Sequence, residues 1–178
     1  MLYLALIVIF GCASARPGTR IAGGTPLAPG ELPYLVSLQL HSSNVWYQLC
    51  GGALIGDTRV SLQLTASLGS SDYRVVLGEH SLNLVDGTEQ YITVQSYIIY
   101  PDYNGNAIGF PNDVAVIHLS QNADTTSAFI STIPIANHGD DFTGVDCTIS
   151  GWGSSAGSEE LKDTPSKATF PAISTPLV

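Results

Sequence analysis

An all-β fold is what this sequence predicts, on three observations. Its 178 residues include 18 Gly and 10 Pro, which divide the chain into many short segments. Segments such as "PYLVSLQL", "YRVVLGE", "EQYITVQSYIIY", "NDVAVIHLS" and "DCTISGWG" are rich in β-branched or aromatic residues and are bounded by Gly, Pro, Asn or Asp, as strands between turns are. No stretch carries the apolar period of a convincing amphipathic helix. Strands of this kind close into barrels or pack as sandwiches, and either arrangement buries one face of each strand.

Composition narrows the class further. With 44% hydrophobic and 12% charged residues the chain suits one or two compact domains rather than disorder. Six Lys and Arg stand against fifteen Asp and Glu, a formal net charge of -9. Nucleic acid is therefore excluded as a partner, because binding phosphate backbones needs clustered cations.

Taken in order, the chain opens with an apolar run at 2–10 followed by Ala13, Ser14 and Ala15, small residues where a signal peptidase would cut. Residues 1–15 are thus expected to be a signal peptide, the mature chain to start at Arg16, and the protein to be secreted into the extracellular space. The run is too short to span a hydrocarbon core of about 30 Å, so no membrane anchor is expected. Arg20, before the apolar Ile21 in a Gly- and Pro-rich segment, reads as an exposed cleavage point, although an ordinary mobile terminus would look the same.

The stretch "TRIAGGTPLAPGELPYLVSLQL" followed by "CGGALIGDTRV" resembles the start of the chymotrypsin-like serine proteases, the family of trypsin, chymotrypsin and elastase. "YRVVLGEHSLNLVDGTEQYITVQ", "YPDYNGN", "NDVAVIHLS" and "CTISGWG" resemble the same family in its usual order, over nearly all of 21–174. The resemblance implies two six-stranded antiparallel β-barrels with the active site between them. It divides the chain into a signal peptide (1–15), an activation peptide (16–20) and a partial protease domain (21–178). It implies a zymogen, cut after Arg20 by a trypsin-like protease so that the new Ile21 amine folds inward, and it implies protein or peptide substrates. No cofactor is required.

Chemistry of that family needs a serine hydroxyl, a histidine base, an aspartate that orients the imidazole, and amide donors for the oxyanion. Asp113 in "NDVAV" matches the aspartate. It opens a strand whose Val114, Val116, Ala115 and Ile117 suggest burial on both sides; read without the resemblance, it is an Asn-Asp turn leading into a strand. The histidine should follow "CGGALIGDTRV", in a segment that reads Thr-Ala-Ala-His-Cys in relatives. Here residues 61–68 read "SLQLTASL". The serine belongs to a Gly-Asp-Ser-Gly-Gly segment beyond "GWG", and no such segment occurs before Val178. His41, His80, His118 and His138 have no nucleophile motif beside them and read as solvated surface residues. Removing serine or histidine from a protease triad costs roughly 10⁶ in turnover, about 8 kcal/mol of barrier, so these residues are expected to be catalytically inactive, a pseudoenzyme.

The genetic code offers a cause. The codons TCA CTG CAG CTC ACT GCG TCT are permitted for Ser61, Leu62, Gln63, Leu64, Thr65, Ala66 and Ser67. Read from their third base they give ACT GCA GCT CAC TGC GTC, which is Thr-Ala-Ala-His-Cys-Val, the family's histidine motif. A base lost after Val60 and a frame regained before Tyr73 would produce the text observed.

Three cysteines occur, and Cys12 falls within the expected signal peptide. The family partners of Cys50 and Cys147 are both absent, so both thiols are expected to be unpaired. A bridge between them would need Cα atoms within about 7 Å, which is not expected. "GEHSLNLVDGTEQ" resembles the family's calcium loop, with Glu79 and Glu89 supplying carboxylates, Ser81 and Leu84 carbonyls, and Asp86 a further contact. Hard cations take such oxygen sets; the same residues also read as an acidic surface hairpin. The first barrel is expected from residue 21 to about 125, lacking a normal strand end around the altered stretch. The second is expected to be only begun, with "DCTISGWG" and "SKATFPAIS" short of neighbours and prone to edge pairing. Three functions remain: a secreted serine endopeptidase by descent, a non-catalytic binding protein on that scaffold, and a fragment of a frame-disrupted gene.

Overall fold

The computed structural model describes residues 24–63, 72–107, 109–153 and 161–173. The expected signal and activation peptides, with Arg20 and Ile21, lie outside these, as do residues 64–68 of the altered stretch. Among the described residues there are nine strands and no helix. They are β1 (Thr25–Pro26), β2 (Leu35–Ser42), β3 (Val45–Gly56), β4 (Arg59–Leu62), β5 (Tyr73–Leu77), β6 (Gln90–Ile99), β7 (Ala115–Leu119), β8 (Asp146–Gly151) and β9 (Ser166–Pro171).

Six of them close into a barrel in the order β2-β3-β4-β7-β6-β5, with every described pairing antiparallel. Period-two alternation explains the closure, because one face of each strand is apolar enough to turn inward. Val36 and Leu38 of β2, Leu54 of β3, Val60 and Leu62 of β4, Val75 and Leu77 of β5, Ile92 of β6 and Ile117 of β7 meet in one buried cluster. At the β3–β4 crossing the backbones run close: a Cβ on Gly52 would lie 3.0 Å from the Ser61 carbonyl oxygen. Glycine is what permits that approach.

β2 is buried on both faces over Leu35 to Gln39. Its inward face lines the barrel, while Leu35 packs with Leu27 and Trp152 in a second, smaller cluster. That cluster is where a three-stranded sheet, β1-β9-β8, meets the barrel. The junction is also stitched by polar contacts: the Trp152 indole donates to the His80 carbonyl at 3.0 Å, and Lys167 of β9 forms an ion pair with Glu31.

Several expectations are corrected here. The barrel does not lose a strand end at the altered stretch, because Ser61 and Leu62 continue β4 and pair with Ala53 and Gly52 on one side and Val116 and Ala115 on the other. Leucine at 62 is apolar and points inward, 2% exposed, so the register survives the change of text. β7 is buried on one face only: Ala115, Ile117 and Leu119 face the core, whereas Val114 is exposed and Val116 and His118 are half-buried. The "DCTISGWG" and "SKATFPAIS" segments remain short of neighbours: β8 pairs along its length with β9 and has no second strand beside it among the described residues, and β9 meets β1 at two residues only. No second closed barrel is formed among the described residues.

The cysteines differ from expectation as well. Cys50 is disulfide-bonded, whereas Cys147 is a free, buried thiol. Cys50 is therefore not an orphan, and no Cys50–Cys147 bridge is formed. The sequence could not show this, because the pairing was inferred from family partners that this chain lacks.

Candidate active site

Asp113 sits half-buried immediately before β7. The turn that delivers it is held tightly. Phe110 and Asn112 adopt positive φ, 48° and 60°, a conformation in which asparagine is common and phenylalanine is not. The Asn112 side-chain amide donates to the Asp102 carbonyl at 3.1 Å, and the Val114 amide donates to the Asn112 carbonyl at 2.8 Å. Ala115, two residues on, is flanked by Leu62 of β4 and Ile99 of β6. The Asp113 charge reaches the Tyr103 phenol, which burial first and that charge second push above its ordinary range.

β4 ends across from Ala115, two residues after Asp113. Ser61 and Leu62 are in β4 and Gln63 follows it; none of the three carries a group that accepts a proton near neutral pH. The four histidines are dispersed. His118 alternates onto the outer face of β7, opposite Arg59 and Ser96. His41 stacks on Trp46 at 4.7 Å between ring centroids, His80 lends its carbonyl to Trp152, and His138 is exposed in the long connection to β8. The expectation of solvated histidines holds fully for His138, while the other three are half-buried.

The acidic loop after β5 is the other concentration of titratable groups. Gly78 closes its base: with φ at +66°, a Cβ there would meet the Thr88 carbonyl oxygen at 2.4 Å, and the Thr88 hydroxyl donates to the Gly78 carbonyl at 2.9 Å. Glu89 accepts the amides of Asp86 at 2.6 Å and Gly87 at 2.8 Å. Leu84 is exposed. Ser81 is buried, with its hydroxyl on Asp163.

Glu79 is the anomalous member. One carboxylate oxygen, Oε2, accepts from Gln39 at 3.5 Å, while Oε1 is buried and has no hydrogen-bond partner. Burial foremost, then the charge of Glu89, and more weakly that of Asp86, push its carboxyl up to about 7, against the His80 backbone amide and Arg74, which hold it down. Gln39 belongs to a polar chain that sequence reading missed: Arg74 donates to Gln39 at 2.8 Å, Gln39 to Ser37 at 3.3 Å, Ser37 to Gln48, and Gln48 to the Cys50 carbonyl at 2.8 Å. The Arg74 guanidinium lies over Trp46 at 4.2 Å and over Tyr91 at 4.6 Å. Serine and glutamine in an alternating strand look like outward polar residues, so no local signal marks Ser37 and Gln39 as buried. Among the described residues, no three side chains of His, Cys, Asp or Glu converge as around a metal ion.

One closed antiparallel barrel, a second antiparallel sheet docked on its flank and a carboxylate at the head of a barrel strand define the class as an all-β protein of the trypsin-like fold. A solved structure described as "Structure of GrC" superposes with a TM-score of 0.74 at 24% identity, over 86% of this chain and 66% of that one. The chain belongs to the trypsin family: the family's sequence model, described as Trypsin, matches residues 21–177. It is 40% identical over 134 residues to a chymotrypsin-like serine proteinase of Haliotis rufescens, 73% of this chain and 52% of that protein. It is 32% identical over 177 residues to the chymotrypsin-like elastase family member 1 of Bos taurus, 97% of this chain and 66% of that protein. The chain therefore spans between about half and two thirds of the length of these relatives. No helix among the described residues is long and apolar enough to cross a membrane.

Proposed function

We propose that this chain carries a secreted chymotrypsin- or elastase-type serine endopeptidase scaffold and that its 178 residues do not themselves hydrolyse peptides. The observation that carries the reading is the end of β4: Leu62 lies opposite Ala115, two residues after Asp113, and Ser61, Leu62 and Gln63 open a stretch with no histidine anywhere from 61 to 68. Asp113 is the orienting carboxylate of the scaffold. Its work is to hold an imidazole in one tautomer and to stabilise the cation that forms on it, and residues 61–68 contain no histidine to supply that imidazole. Proton transfer from a nucleophile then lacks its acceptor, a loss of roughly 10⁶ in turnover.

In this reading residues 1–15 direct export, a trypsin-like protease cuts after Arg20, and proteins or peptides are what the scaffold's lineage acts on. The test is an assay of the purified chain, before and after cleavage at Arg20, on peptide substrates with aromatic or small aliphatic residues ahead of the scissile bond. No turnover is expected. Turnover abolished by a serine-directed inhibitor would overturn the reading. The codon arithmetic at 61–67 favours a frame-disrupted gene as the cause, and sequencing the transcript from the Thr58 codon onward decides that point.

We further propose that the acidic loop takes calcium, with the carboxylates of Glu79 and Glu89, the carbonyls of Ser81 and Leu84, and Asp86 as the outer contact. The buried, partnerless Oε1 of Glu79 supports the fit, since it lies among like charges and a cation supplies what it lacks. The ion's chemistry there is structural: it neutralises crowded carboxylates and fixes the loop.

A further inference from the structure

Ser81 and Leu84, the residues whose carbonyls the loop offers to a cation, are both set by a side chain from outside the loop. Asp163 lies 82 positions along the chain from Ser81, in the segment that leads into β9. Its carboxylate accepts the Ser81 hydroxyl at 2.9 and 3.0 Å and the Asn83 amide at 2.9 Å. Its backbone carbonyl accepts the Leu82 amide at 2.9 Å. The Ser81 oxygen accepts the Leu84 amide at 3.0 Å. A serine hydroxyl has one proton, and here the proton is committed to Asp163, which leaves the lone pairs for Leu84. Ser81 is 5% exposed, so water competes little at its hydroxyl, and hydrogen bonds to a carboxylate are roughly twice as strong as neutral ones.

The turn at 81–84 thus owes its shape to a residue on the approach to the second sheet. We propose that Asp163 is a positioning residue for the cation loop, and that cation binding there and docking of the β1-β9-β8 sheet on the barrel are energetically coupled through it. The inference rests on the calcium reading above and goes beyond it, because it assigns a residue from another element and a consequence for the whole chain. Coupling of this kind is reciprocal: whatever loosens the approach to β9 weakens the loop's hold on the ion, and the bound ion tightens the docked sheet by the same factor.

Calorimetric titration of the full chain with calcium chloride tests it, comparing the wild type with Asp163→Ala, Ser81→Ala and Glu31→Gln. Asp163→Ala is expected to weaken calcium binding at least tenfold. Ser81→Ala removes the link without changing the charge, so a comparable loss separates positioning from simple electrostatics, and it stands in if Asp163→Ala fails to fold. Glu31→Gln removes a different tie between sheet and barrel and, through the same coupling, is expected to weaken calcium binding by less than Asp163→Ala does. Amide exchange across β9 is expected to slow on adding calcium in the wild type and not in Ser81→Ala. Equal affinities in the wild type, Asp163→Ala and Ser81→Ala would overturn the positioning role while leaving the calcium reading intact. No heat of binding in the folded wild type would overturn both.

Discussion

Glu79 shows how a single carboxyl can work against the fold that holds it. Its ordinary value of 4.5 is raised to about 7, so the folded state prefers the neutral form. For a group raised on folding, the stability it contributes is fully present below pH 4.5 and is lost as pH climbs through 7. In calcium-free buffer, Glu79→Gln is therefore expected to raise the unfolding midpoint at pH 8 by on the order of 2–4 °C and to leave it unchanged at pH 4. Superimposable pH profiles for the two proteins would show that Glu89, Asp86 and burial do not act on this carboxyl as described. The residue's place in the loop was legible in "GEHSLNLVDGTEQ". Its enclosure was not, because Gln39, which reaches its carboxylate, comes from β2, forty residues away.

At the scale of elements, β4 is the informative case. The text at 61–62 departs from its family, yet Leu62 occupies the barrel core, so apolar character at alternate positions was enough to keep the strand in register. Leu62→Ala is expected to cost about 2–5 kcal/mol of stability, as a buried leucine does, measured by denaturant unfolding; a cost near zero would mean that the strand frays before this residue. The strands named from β-branched and aromatic runs became β2, β5, β6, β7 and β8, within a few residues at each end. β3 was less visible, since "CGG" interrupts its apolar pattern, and only the close passage of β4 over Gly52 explains the glycine. The burial of β2 on both faces was hidden too, since what meets its outer face comes from separate parts of the chain: Trp152 against Leu35, and Gln48, Arg74 and Glu79 around Ser37 and Gln39.

For the whole molecule, the family motifs made the all-β class and the barrel readable, while the state of the thiols was not, because it depends on which cysteines meet. Cys147 is 7% exposed and lies against the backbone of its own strand, its sulfur 3.7 Å from the Val145 carbonyl. It is expected to be unreactive towards an aromatic disulfide reagent in the native protein and to titrate fully after denaturation; rapid reaction without denaturant would mean that β8 opens readily. The two tryptophans extend such measurements to the assembly of the chain. Trp46 lies half-buried on the β2–β3 hairpin beneath a guanidinium, and Trp152 is 2% exposed at the seam between sheet and barrel. That difference in burial is expected to separate their emission in colour and in access to a soluble quencher, which would make the pair an optical record of which of the two layers lets go first.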